Sequence, residues 1–179
     1  MSLDVPLVPM RRVGFECSSW GEDEKMIRIA IITNLIAYSI VASQPLFYIL
    51  ALGSAQRALS AAAYIELRQR INAVMSRRVS VIYLSTLATG LLVLVLSLRL
   101  GNWSSLAAVT VALLCLVIDI FFMVRENVPI NGVIDQWSTA DHPDDWESYR
   151  TKWFEIFAYR QVLLLVGFFA LLVGAVFQP

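Results

Sequence analysis

The length of its uninterrupted apolar blocks constrains this chain more than any other feature. A transmembrane helix needs about 20 mostly apolar residues to cross about 30 Å of hydrocarbon. Four stretches of the 179-residue sequence meet that requirement: residues 26–53, 79–98, 103–124 and 157–177. A soluble domain scatters its apolar residues at helix or strand periods. Here 58% of the residues are apolar, only 16% are charged, and the excess is concentrated in the four blocks. The sequence therefore predicts an all-α fold, an integral membrane four-helix bundle over residues 26–179, preceded by an extramembrane tail at 1–25. That tail is polar and mixed in charge, with no apolar h-region and no small-residue cleavage site, so the first span is expected to serve as an uncleaved insertion signal.

Fourteen basic and fourteen acidic side chains cancel, which excludes a bulk attraction to nucleic acid. The two cysteines, Cys17 and Cys115, are far apart and each stands alone, so neither a disulfide scaffold nor a CxxC site is expected. His142 is the single histidine. Sites that need two imidazoles therefore cannot be assembled within one chain, and no metal or cofactor is expected.

Asp119 lies within the third block. An acid costs about 2.5–3.5 kcal/mol at a helix centre, and the dozen or so large apolar residues of that block offset it by about 4–7 kcal/mol. The span inserts with its acid. Gly101 and Asn102 leave room only for an antiparallel hairpin between spans two and three. The other two connections read as helix. From Ser60, apolar residues recur at Tyr64, Leu67, Ile71, Val74, Val79 and Ile82 with no proline or glycine before Gly90, predicting a helix from Ser60 to Leu98 about 58 Å long. The fourth span likewise is expected to begin near Asp141 or His142, ahead of Pro143. Helices two and four should thus extend beyond the bilayer on one side. That side holds nine of the fourteen basic residues: Arg57, Arg68, Arg70, Arg77, Arg78, Arg125, Arg150, Lys152 and Arg160. The positive-inside rule then predicts cytoplasmic extensions and both termini outside, in a plasma membrane or a bacterial inner membrane.

One stripe concentrates chemistry. Trp146, Arg150, Trp153, Phe157 and Arg160 follow one another at spacings of four, three, four and three residues, which on an α-helix form a single face. Upstream lie Asn127, Asn131 and Trp137. Such a face serves either as an interfacial anchor that holds the bundle end together, with Asp119 pairing Arg160, or as an aromatic cleft for a flat ligand carrying negative oxygen charge. In the first span, Gln44 and Pro45 mark a kink whose freed carbonyl is satisfied by packing or by a small polar cavity. Asn34 and Thr33 are expected to hydrogen-bond between helices.

The run Asn127-x-Pro129-Ile-Asn131, then Trp137, then Pro143-x-Asp145-Trp146-x-x-x-Arg150-x-x-Trp153 and a last arginine, Arg160, resembles the small four-helix membrane proteins called anthrone oxygenase-like. Pro45 also resembles that family's proline, and the likeness covers nearly the whole membrane portion. Members often carry a polar residue just before the last arginine, where this chain has Ala158 and Tyr159. The resemblance implies a cofactor-independent oxygenase acting on a planar phenol-like or anthrone-like substrate, although most bacterial relatives have no assigned reaction.

On that reading Arg150 and Arg160 stabilise an oxyanion, with Asp119, Asp145 or His142 as the base. Asn127 and Asn131 supply hydrogen bonds, and Trp146, Trp153 and Phe157 supply walls beside Gln44 and Pro45. The alternatives are a non-catalytic subunit or scaffold of a larger complex, a homo-oligomer, or a protein that binds a quinone or lipid without turnover. A transporter is a distant third, because no chain of acids at midplane and no internal repeat is evident.

Overall fold

The computed structural model describes residues 17–177, apart from the side chains of residues 17–20 and 76, and every regular element among them is helical. Helix α1 (Cys17–Phe47) runs through a π-helical turn (Tyr48–Leu52) into a short α2 (Gly53–Arg57). Helix α3 (Ala61–Leu100) is 40 residues of unbroken α-helix. Helix α4 (Trp103–Phe122) passes through a second π-helical turn (Met123–Asn127) into α5 (Val128–Ile134), and α6 (Trp146–Val176) closes the chain. Four segments, Gly21–Arg57, Arg77–Leu100, Trp103–Ile134 and Trp146–Val176, are long and apolar enough to cross a bilayer. The protein is an integral membrane four-helix bundle.

Neighbours in sequence are neighbours in space: α1 packs on α3, α3 on α4 and α4 on α6, and α6 returns to α1 to close the ring. The tightest connection, between α3 and α4, depends on Gly101. Its φ of 66° is the left-handed conformation that ends a helix at little cost when no Cβ is present. Asn102 then caps α4, its side-chain oxygen accepting from the Ser105 amide at 3.1 Å.

Within the spans the core is built around Tyr38, Val41, Leu116 and Leu164, all essentially inaccessible. Gly167 lets α6 approach α1, because a Cβ there would meet the Tyr38 hydroxyl, which donates to the Ala112 carbonyl at 3.2 Å. Asn34 joins α1 to α3 by donating to the Thr86 carbonyl at 3.1 Å and to the Thr89 hydroxyl at 2.9 Å. Thr33 instead bonds back to Ile29 in its own helix. Ile29, Leu50, Leu84, Phe121 and Val162 point outward, each more than half exposed, as a lipid-facing surface requires.

A second core caps one end of the bundle. Tyr64, Ile130, Ile134, Trp153, Phe154 and Phe157 are buried together there, drawn from α3, α5 and α6, with Tyr48 of the first π turn packed against them.

The structure departs from the sequence expectations in three places. The third segment continues past Val124, where the span was expected to end, to Ile134, and the Asn127-to-Asn131 motif lies on that continuation. Pro129 is tolerated because it follows directly on the π turn, where the hydrogen bonding is already shifted: the Val128 amide reaches back five residues to the Met123 carbonyl. Helix α6 starts at Trp146 instead of near Asp141, because Ser138 takes the upstream amides: its hydroxyl accepts from Asp141 at 2.8 Å and from Ala140 at 3.2 Å. Finally, α3 turns Tyr64, Ile65 and Arg68 inward, whereas Val74 is 51% exposed. Gln69 sets that rotation by donating to the Ile134 and Trp137 carbonyls at 3.0 and 2.8 Å. The tail before residue 17 lies outside the described residues, and α1 already begins within the expected tail.

Candidate functional site

Four arginines stack on four aromatics of α6. Arg150 lies 4.4 Å from the Trp146 ring centroid, Arg68 4.0 Å from Trp153, Arg57 4.9 Å from Phe154 and Arg160 5.5 Å from Phe157. Guanidinium groups are weakly hydrated and stack on ring faces, so the rings under Arg68, Arg150 and Arg160 compensate for cations held away from bulk water, whereas Arg57 is exposed. The predicted stripe does share one inward face, exposed least toward the spans: Trp146 and Arg150 are partly exposed, whereas Trp153, Phe157 and Arg160 are buried.

At the inner end the polar groups are saturated. Arg160 Nε donates to Asp119 Oδ1 at 2.9 Å, Nη1 to Asn127 Oδ1 at 2.9 Å, and Nη2 to Asp119 Oδ2 and the Tyr83 hydroxyl at 3.3 Å each. Tyr83 in turn donates to Asp119 Oδ2 at 2.7 Å. Asn127 uses its amide nitrogen on the Trp153 carbonyl at 3.3 Å, tying the π turn to α6. Asp119 is wholly inaccessible and both of its oxygens are taken up, so this quartet acts as a lock between α3, α4 and α6.

At the outer end Arg150 is committed as well. It donates to the Leu59 carbonyl at 3.0 Å and to Glu147 at 3.1 Å, which pins the chain between α2 and α3 onto α6. His142 is half-buried with its ring 6.1 Å from Trp146, and Asp145 is exposed at the start of α6. Among the described residues no three His, Cys, Asp or Glu side chains gather as a metal-holding group.

Between these closed ends lies an open set of polar atoms. Arg68 donates from Nη2 to Asn131 Oδ1 at 2.6 Å, yet its buried Nε has no partner. Nor do Gln56 Nε2, the Tyr64 hydroxyl or Trp153 Nε1. These side chains adjoin one another: Arg68 covers Trp153, Tyr48 stands 5.9 Å from Trp153 and donates to Gln56 Oε1 at 3.2 Å, and both Tyr48 and Tyr64 feel the Arg68 charge. Burial pushes the Tyr64 phenol above its ordinary value, against the opposing pull of Arg68. More than nine in ten buried polar groups are normally satisfied. Three orphaned N–H donors, one of them on the Arg68 guanidinium, and one hydroxyl thus form a locus that can receive acceptor oxygens.

Compared with known proteins, the chain matches no family model, no curated protein and no solved structure. The likeness to anthrone oxygenases rests on the quoted motif residues.

Sequence reasoning assembled the α6 stripe with Asn127, Asn131 and Asp119, and the structure brings all of these to one end of the bundle. Gln44 and Pro45 stay apart from the arginines' hydrogen bonds, and Pro45 contributes through the backbone. It has no N–H to give the Val41 carbonyl, and within three residues the helix passes into a turn in which the Gly53 amide reaches back to the Tyr48 carbonyl. The residues missed were Tyr48, Gln56, Tyr64, Arg68 and Tyr83. Arg68 follows Tyr64 by four positions on one helical face, but the spacing does not say that this face turns inward.

A groove of about 220 Å³ lies between the first π turn and α6, with Tyr48 and Phe157 in its wall. A larger groove of about 490 Å³, on the outer side of the second π turn, is lined by Ile120, Phe121, Val124, Arg125 and Pro129. It shares no residue with the orphaned cluster.

Proposed function

We propose that this protein binds a planar, oxygen-bearing aromatic molecule at the capped end of its membrane bundle. On the strength of its motif, we propose that it oxidises that molecule with molecular oxygen, as anthrone oxygenases do. The observation that carries the binding proposal is the set of unpartnered donors, Arg68 Nε, Gln56 Nε2 and Trp153 Nε1, beside the Tyr64 hydroxyl. Aromatic walls and a fixed cation favour a phenolate or enolate oxygen over a neutral one. Once such an anion is held, its electron-rich ring carbon reacts with oxygen: for an anthrone, the ring methylene becomes a carbonyl, and the second oxygen atom leaves as water with both methylene hydrogens. The saturated pairing of Asp119 leaves Asp145 and His142 as the charged or titratable groups nearer solvent for proton exchange.

A second reading, binding of a quinone or other ring without turnover, is favoured by the commitment of Arg150 and Arg160 to protein partners. Oxygen consumption separates the two. With anthrone as substrate, protein in nanodiscs should consume oxygen in the presence of a chelator, and Arg68→Gln should lower the rate about 10–100-fold, the value of a charge-assisted hydrogen bond. A requirement for added metal, or full activity in Arg68→Gln, sinks the oxygenase reading.

The same proposal puts the capped end in the cytoplasm and both termini outside. Arg68 and Arg160 are buried and Arg150 is partly buried, but Arg57, Arg70, Arg77, Arg78, Arg125 and Lys152 remain exposed, and they supply the positive-inside bias.

A further inference from the structure

We infer that the groove between the first π turn and α6 is a lateral entry from the bilayer, through which a lipid-dissolved planar phenol reaches the orphaned donors when Tyr48 swings aside. This rests on reading those donors as a ligand site.

The groove's surroundings point to lipid. Phe47, Ile49 and Leu50 beside it are 59%, 57% and 74% exposed, on a segment that crosses the membrane. Its rim is small or polar, formed by Gly53, Ser54 and Ala158, with Arg57 at its edge. A side chain larger than that of Ala158 would fill the groove. The glycine is required by the turn itself, since a Cβ at residue 53 would come within 2.9 Å of the Tyr48 carbonyl oxygen.

The groove also borders the donors. Tyr48 and Phe157 form its wall, and the same two rings pack on Trp153, at 5.9 and 4.9 Å between centroids. Behind Tyr48 lie Gln56, which accepts its hydroxyl at 3.2 Å, and Arg68. At about 220 Å³ the groove falls short of the roughly 300–1,000 Å³ of ordinary small-molecule sites. A flat ring system enters it by an edge, and full seating requires Tyr48 to give up its bond to Gln56. Tyr48 opens a π-helical turn, a local departure from α-helical bonding of the kind that frequently occurs at functional sites. Arg57 at the rim gives the incoming hydroxyl oxygen a first cation.

Entry by this route makes the groove a kinetic element. A side chain that plugs it should slow association and dissociation together and leave affinity nearly unchanged. The test is stopped-flow tryptophan quenching by 2-naphthol, with protein in nanodiscs. Ala158→Phe and Ser54→Phe should each slow both rates about tenfold while Kd stays within about twofold. Val162→Phe, on an equally lipid-facing position outside the groove, should leave both rates alone, and Tyr48→Leu should raise both. Wild-type rates in both plugged variants overturn the entry route, as does a change in Kd without a change in association. The donor site is judged separately, by saturable binding to the wild-type protein that weakens in Arg68→Gln. If the wild type shows no saturable binding, both readings fall.

Discussion

Replacing Arg160 by methionine should cost this protein more stability than replacing Arg160 and Asp119 together. Asp119 is wholly inaccessible and the Arg160 side chain retains 7% of its exposure, so neither charge has water to fall back on. Removing the guanidinium leaves the carboxylate with Tyr83 as its remaining donor at 2.7 Å and frees Asn127 Oδ1. Breaking a buried ion pair from one side costs about 3–5 kcal/mol, whereas replacing both partners by apolar groups of similar volume is near neutral. The double variant Asp119→Leu/Arg160→Met still strands the Tyr83 hydroxyl and Asn127 Oδ1, at about 1–3 kcal/mol. It should therefore recover about 2 kcal/mol of the loss. Reversible unfolding in bicelles, followed by circular dichroism or steric trapping, measures both. A cost below about 1 kcal/mol for Arg160→Met, or a double variant less stable than the single, refutes the view that the quartet is a saturated structural lock.

Removing an orphaned polar atom should do the opposite. Tyr64→Phe should leave the unliganded protein as stable as wild type or more stable by up to about 1–2 kcal/mol, yet weaken 2-naphthol binding; loss of stability with unchanged binding would show that the hydroxyl serves the fold. The same variant carries a pH signature. With its phenol raised above the ordinary 10.0, the folded chain keeps a proton that the unfolded chain releases, so wild-type stability should fall as pH rises past 10 and Tyr64→Phe should lack that part of the fall. Gly167→Ala should cost about 1–3 kcal/mol by driving a methyl group into the Tyr38 hydroxyl; a thermal-unfolding midpoint equal to wild type would contradict that packing. Gly53→Ala should disturb the first π turn through the Tyr48 carbonyl, and unchanged naphthol exchange rates in that variant would detach the turn from ligand entry.

The four spans were legible because apolar run length is a local property, and so was the α6 stripe, since five side chains at alternating spacings of four and three need only one helix. The Asp119–Arg160 pair could be read from charge alone, two opposite ions placed at one depth. Arg68 could not. Its role depends on the rotation of α3, and that is decided by Gln69 reaching the Ile134 and Trp137 carbonyls, contacts more than sixty positions away. The continuation of the third span through Asn127 and Asn131 was hidden for another reason. Pro129 signals a break, and the π turn ahead of it, which lets the helix pass through without one, has no signature in the spacing of the residues.

The two π turns have a consequence for comparing this chain with any relative. Each holds one more residue than the α-helical turn it replaces, as a single inserted residue would produce, and each lies directly ahead of residues in the polar cluster, Gln56 after the first and Asn131 after the second. Deleting one residue from either turn would restore a regular helix and swing everything beyond it by about 100°, carrying the polar side chain off the inward face. Counting at constant spacing from Pro45 to Gln56, or from Asp119 to Asn131, would then pair unlike positions in two proteins that differ by one such turn. Correct correspondence calls for a one-residue gap inside each apolar segment.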